Sequence, residues 1–195
     1  NYHWGPILPI LLPFQVLHLV PRDPQGSSLG ILLGFGSFFA MVVPPLVGHW
    51  SDRLHSRYGR RRPIMVVGTA FNVLGLLLMF LAPTYTLLLL AYLVVQISNN
   101  AAGAAFNAVV PDVVPQPEFG RQSGILGGMV QLGTVGGLAT YIVFSLLGMP
   151  LVTYLAIGVV LIATLIPTLW ASRGEGMEPV QREPAKPPLE ALREF

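Results

Sequence analysis

The sequence has no cysteine, and only 10% of its 195 residues are charged. Without cysteine there is neither a disulfide framework nor a thiolate metal site to read. A soluble domain carries about 25% charged residues to wet its surface. A chain that is 53% hydrophobic, with mean hydropathy +0.64, is too apolar to hide its side chains in one ordinary core. Its remaining solvent is lipid. Signatures of enzyme chemistry are missing as well: there is no HExxH, no P-loop, no GxSxG and no pair of acids inside the apolar runs. The expectation is a protein that is not an enzyme and needs no cofactor or metal.

What is present is bunched. No Asp, Glu, Lys or Arg falls within Trp4–Val20, Leu29–Gly48, Ile64–Ala82, Leu87–Val110, Ser123–Leu147 or Leu151–Trp170. A hydrocarbon layer of about 30 Å takes about 20 helical residues to cross, and a helix closes its own backbone hydrogen bonds as lipid demands. The runs predict an all-α membrane protein with six transmembrane helices. Basic residues are equally uneven. Arg53, Arg57, Arg60, Arg61 and Arg62 crowd the second loop, Arg121 follows the fourth run, and Arg173, Arg182, Lys186 and Arg193 follow the sixth; Arg22 alone lies on the other side. The positive-inside rule then places both termini in the cytoplasm of a multi-pass cell-membrane protein. A short basic loop between two spans is explained by headgroups and orientation, so nucleic acid is not expected as a partner.

Two parts are expected: a transmembrane bundle over residues 1–171, and a cytoplasmic linker or tail over 172–195, rich in Pro and Glu. The start without Met and the linker-like end suggest a fragment of a longer chain. Within the bundle, runs one and four hold the conspicuous amides and an imidazole, runs two and five are rich in small residues, and three and six are plainer, Asn72 apart. That order repeated is what a 3+3 inverted repeat looks like.

Candidate site residues lie on runs one and four. At about 100° per residue, Gln96, Asn100, Gly103 and Asn107 fall within about 60° of one another. An amide in hydrocarbon needs a partner or water, so this stripe reads as cavity lining, with interhelical hydrogen-bond glue as the alternative. Gln15 and His18 sit one turn apart on run one. His18 is the only acid or base within the runs other than tyrosine hydroxyls. It reads as a proton relay or substrate donor, or as a neutral imidazole hydrogen-bonded near the external end. Pro6, Pro9 and Pro13 free carbonyls and bend that run. Gly30, Gly34, Ser37, Met41, Pro44 and Gly48 share one face of run two; Gly120, Gly124, Gly127, Gln131 and Thr134 do the same in run five. Small faces let helices approach, so these glycines are candidates for helix packing, or for a moving interface.

The segment from Gly48 through Asp52, Arg53, Arg57, Gly59, Arg60, Arg61 and Arg62 to Pro63 resembles the cytoplasmic loop of the major facilitator superfamily, G-x-x-x-D-R-x-G-R-R, stretched by four residues before Gly59. The stretched form ending R-R-R-P is similar to the sucrose-transporter branch related to glycoside–pentoside–hexuronide carriers. Gln96 and Asn99-Asn100, with Asn107-Ala108 and Asp112, match that branch's fourth span in spacing, but its membrane Asp falls on Gln96 and its membrane Arg on Asn107. Gly136-Gly137 is similar to the end of the antiporter motif, whose internal Gly-Pro falls on Leu132 and Gly133. The resemblance implies the amino-terminal half of a major facilitator fold. Its function would be secondary active or facilitative transport of a small polar solute, such as a sugar, by alternating access. Gln15, His18, Gln96, Asn100 and Asn107 would bind substrate. Asp52, Arg53, Arg60 and Arg61 would form a cytoplasmic latch within the gating segment. The partners implied are the solute, the bilayer and a second six-helix half. A drug or lipid carrier, and a non-transporting scaffold or inert fragment, are the alternatives.

Overall fold

The structure is a computed structural model that describes residues 2–53, 61–113 and 116–171, excluding the side chains at 52–53, 109–113, 116 and 171. Among them there are helices and turns but no strand. The helices are α1 (Trp4–Leu19), α2 (Gln25–Arg53), α3 (Arg62–Leu81), α4 (Tyr85–Val113), α5 (Phe119–Leu146) and α6 (Thr153–Ala171). Short 3-10 turns at Gln116–Glu118 and Pro150–Val152 precede α5 and α6.

Five helices, α2 to α6, are long and apolar enough to cross a membrane; α1 is apolar but shorter. Six full spans are therefore five plus one short helix among the described residues. Its prolines shape the backbone of α1. Pro9 and Pro13 have no N–H to donate, and the backbone widens into a π-helical segment over Ile7–Leu11, closed by Leu12 N–H on the Ile7 carbonyl. The helix ends at Leu19, where Gln25 Nε2 reaches back to the carbonyls of Val20 (2.9 Å) and Leu17 (3.2 Å). Gly148, at φ 74°, ends α5 in a Schellman turn: Met149 N–H bonds the Phe144 carbonyl at 2.8 Å and Gly148 N–H that of Ser145 at 3.0 Å.

The core gathers Ile7, Leu11, Leu12 and Val16 of α1, Leu32 of α2, Leu76 and Met79 of α3, Leu88, Tyr92 and Val95 of α4, and Tyr154 and Ile157 of α6. No residue of α5 belongs to its buried part. Gly137 is the one buried residue of that helix. The α3–α4 pair makes the most extensive contact, followed by α2–α4 and α3–α6. A smaller cluster of Ile64, Met65 and Ala105, with Val47 and Leu165 beside it, closes the end where α3 begins.

Glycines settle which faces meet. A Cβ on Gly68 would lie 2.9 Å from Ala102 Cβ and 3.0 Å from the Ser98 carbonyl oxygen; on Gly75 it would lie 2.7 Å from Val95 Cγ2. Gly36 likewise lies against the Tyr92 ring, and Gly5 against the Thr134 carbonyl. By contrast, Gly30, Gly34, Gly120, Gly124 and Gly127 have nothing within 4 Å of such a Cβ. Among the described residues, then, the five glycines expected to pack helix on helix meet no other helix within 4 Å of such a Cβ. The close approaches fall on other glycines because α2 turns Ser28, Leu32 and Gly36 toward α4, and residues four apart share one face.

Candidate functional site

Two of the amides singled out in the sequence are tied to neighbouring helices. Gln15 is buried; its Nε2 donates to the Met79 carbonyl at the end of α3 (2.8 Å), and its Oε1 accepts from the Tyr154 hydroxyl of α6 (2.7 Å). One amide thus joins three helices. Gln96 is also buried, and its Nε2 donates to the Gly36 carbonyl of α2 at 2.8 Å. That contact exists because Gly36 has no side chain to hold α2 away from the Tyr92 ring. Both glutamines act here as interhelical glue, since a backbone carbonyl satisfies an amide as well as water does.

The rest of the α4 stripe opens progressively. Asn100, half-buried, donates from Nδ2 to the Gln96 carbonyl at 2.7 Å, a bond within its own helix that leaves its Oδ1 available. Gly103 has no neighbour within 4 Å of a Cβ built on it. Asn107 is exposed. One helical face thus runs from a closed amide contact at Gln96 to an open amide at Asn107. His18 is exposed too; its Nδ1 lies 2.7 Å from the Phe14 carbonyl, and its ring centroid lies 4.3 Å from that of Phe14 with the planes tilted by 42°. His18 and Asn107 lie at opposite ends of the bundle. The five candidates do not form one cluster.

Several polar groups went unnoticed in the sequence. His3 is 2% exposed, and neither ring nitrogen has a hydrogen-bond partner. Its ring lies 4.4 Å from that of Trp4, which in turn meets Tyr92 edge-on at 6.4 Å. Tyr2, beside it, packs on Gly133 and Gly136 in the middle of α5 and bonds Thr140, about three-quarters along that helix. His3 is thus a second imidazole of this region, buried where His18 is exposed. The signal was adjacency: His3 falls one residue before an uncharged run. Tyr154, fully buried, carried no signal beyond its hydroxyl. Asn72, already the polar exception of the third run in the sequence, is buried with an unpartnered Oδ1.

At the basic end, Arg61 is buried, and Arg62 Nη2 donates to the Leu169 carbonyl at 2.6 Å. This ties the start of α3 to the end of α6. Of the rest of the gating segment, Gly48 is in α2 with nothing within 4 Å of a Cβ. The side chains of Asp52 and Arg53, and all of residues 54–60 with Gly59 and Arg60, lie outside the described residues, as does the tail, 172–195. No group of three or more His, Cys, Asp or Glu that could hold a metal exists among the described residues.

Comparison with known proteins gives a consistent class. The family model described as Major Facilitator Superfamily matches residues 5–195. The chain is 29% identical over 140 residues to the class E tetracycline resistance protein of Escherichia coli, covering 69% of this chain and 33% of that protein. It is 43% identical over 60 residues to a sucrose transport protein of Arabidopsis thaliana, covering 27% of this chain and 10% of that one. Against the general alpha-glucoside permease of Schizosaccharomyces pombe it is 26% identical over 133 residues, 57% of this chain and 24% of the permease. The chain spans about a third of the tetracycline resistance protein and less of the other two.

Proposed function

The chain belongs to the major facilitator superfamily, a family of membrane transporters and not of enzymes, and on that premise we propose that it is one half of a carrier moving a small polar solute by alternating access. The six helices, α1 included, are the amino-terminal half, arranged as two triplets in a 3+3 inverted repeat with both termini in the cytoplasm of a cell membrane. A second six-helix half completes the molecule.

The observation that carries this reading is the graded stripe of α4. Asn107, near the end of the apolar span of α4, is exposed and continues the same face as the buried Gln96. That face suits the wall of a water-filled path between two halves. Asn100 and Asn107 meet the solute, each offering both donor and acceptor to hydroxyl groups. His18 lies nearer the external mouth. Gln15 and Gln96 shape the site by holding α1 and α2 in place. Asp52, Arg53, Arg60 and Arg61 form the cytoplasmic latch. The solute class that neutral amides favour is a sugar, and a sucrose transport protein and a glucoside permease stand among the relatives.

A second reading has its own support. The tetracycline resistance relative covers 69% of the chain, against 27% for the sucrose transport protein. A drug-like solute would use the same path with more apolar lining from the second half. The test is counterflow by the full-length carrier in liposomes loaded with sucrose, maltose or tetracycline. Exchange of a sugar, abolished in Asn100→Ala and Asn107→Ala, supports the first reading. Exchange of tetracycline alone supports the second. No exchange of any solute, with the protein folded, counts against both.

A further inference from the structure

The start of α1 is docked on α5 by a small joint. The Tyr2 backbone meets Gly133 and its ring meets Gly136, while a methyl group on Gly137 would collide with the Tyr2 carbonyl and the Pro6 ring. The Tyr2 hydroxyl bonds Thr140, and Gly5 packs on the Thr134 carbonyl. Among the described helices α1 packs most on α5; the other main contacts of α5 are with the turn and the helix that follow it. Gly137, the one buried residue of α5, lies in this joint. His3 follows Tyr2 there, 2% exposed, with neither Nδ1 nor Nε2 bonded. Its ring neighbour is Trp4, which meets Tyr92 of α4 edge-on.

A buried imidazole tolerates a charge only beside a partner, because an imidazolium taken from water loses its hydration. The flanking helices offer none. From Tyr85 to Val110 of α4 the titratable groups are the Tyr85 and Tyr92 hydroxyls, and from Gln122 to Leu146 of α5 the Tyr141 hydroxyl. Asp112 stands about 30 Å from Tyr92 along α4, and Arg121 about 20 Å from Thr134 along α5. On its own segment, the Tyr2 hydroxyl is spent on Thr140, the chain's amino group adds a like charge, and His18 is at the far end of α1. We propose that His3 makes the joint between α1 and α5 acid-sensitive: the ring is packed neutral while the joint is closed, and takes a proton when α1 draws away from α5. Above the ordinary imidazole value of ~6.5 both arrangements hold a neutral ring. Below it only the open one gains the proton, so the closed joint loses about tenfold of its advantage per pH unit. The inference rests on the packing of α1 against α5 and is independent of which solute is carried.

Amide hydrogen exchange over residues 2–12 of the full-length carrier in detergent, at pH 8 and pH 5, tests it in wild type and His3→Phe. Phenylalanine fills the space of the ring and cannot titrate, and comparing the two at one pH cancels the pH dependence of the exchange chemistry. The two match at pH 8. At pH 5 the wild type exchanges at least about tenfold faster, within the limit of roughly thirtyfold set by an imidazole that titrates near 6.5. Residues 68–76, on the seam between α3 and α4, show no such difference. A second arm closes the joint covalently. A Cβ on Gly133 would lie 3.8 Å from Tyr2 Cβ, the span of a disulfide. Tyr2→Cys with Gly133→Cys, oxidised, thus holds α1 on α5 with His3 in place, and the acid response disappears. This arm leaves His3 untouched, so it decides even where His3→Phe does not fold. Equal exchange by wild type and His3→Phe at pH 5 overturns the proposal, as does an acid response that survives the disulfide.

Discussion

Glycine lines both the seam between α3 and α4 and the outer faces of α2 and α5, and it does opposite things in the two places. At the seam, Gly68 and Gly75 let backbones come so close that a single methyl group would collide with the next helix. On the outer faces, Gly30, Gly34, Gly120, Gly124 and Gly127 look into open space, flanked by exposed apolar side chains such as Met41, Met129 and Leu132. Lipid could cover such faces with larger residues at no loss. Small residues kept where nothing among the described residues presses on them suit a surface that meets another bundle and slides on it. The seam holds the described helices together, and the outer faces are what the proposed second half would cover.

The largest effect is expected at the seam. Gly75→Leu or Gly68→Val should overpack α3 against α4 by about 3 kcal/mol, seen as lost monodisperse protein and a collapsed melting temperature. The same kind of change at Gly124→Leu or Gly34→Leu should leave the melting temperature of this chain within its error. In the full-length carrier it should reduce transport about tenfold or more, since 1.4 kcal/mol lost at an interface is tenfold. Destabilisation of the isolated chain by the outer substitutions would break the distinction.

Next in size is the amide node that joins α1, α3 and α6. Tyr154→Phe removes one buried hydrogen bond to Gln15 and should destabilise by about 1 kcal/mol, in line with hydrogen bonds measured between membrane helices. Gln15→Leu should cost more, because it leaves both the Met79 carbonyl and the Tyr154 hydroxyl unmet. The double variant should be less than additive, as expected for groups in one network.

Much of this was legible in the sequence, for definite reasons. Charge exclusion marks lipid-crossing runs, and the runs for α2 to α6 appear as helices within a few residues. Spacing placed the glycines of α2 and α5 on single faces, which the structure keeps. It did not show whether those faces are covered, because cover depends on a neighbour and not on the helix itself. Nor does an amide announce its partner. Gln96 and Asn107 are the same kind of residue on the same stripe, yet one is spent on Gly36 and the other is open. The prolines of α1 foretold a bend but not the π-helical segment over Ile7–Leu11.

The smallest effect on stability separates the two histidines. His18→Gln, at an exposed position, should change the melting temperature by little, within about 0.5 kcal/mol. His3→Gln alters a buried ring without partners and should shift it more. In transport driven by a pH difference, neutral Gln96 and Asn107 cannot titrate, and the two variants ask whether either imidazole carries the coupling. Uptake that responds to the pH difference in wild type and in both variants alike would place coupling elsewhere in the carrier.

The central claim is that this chain is half of a carrier, whose open faces on α2 and α5 require a partner bundle. Uptake into liposomes is its most direct test. The solute that the full-length carrier exchanges is offered to the 195-residue chain alone and to the same chain co-reconstituted with the remainder of the carrier. The account predicts no uptake by the chain alone and recovery when the second half is supplied. Saturable uptake by the chain alone, shown to be monomeric in the liposomes, would contradict it.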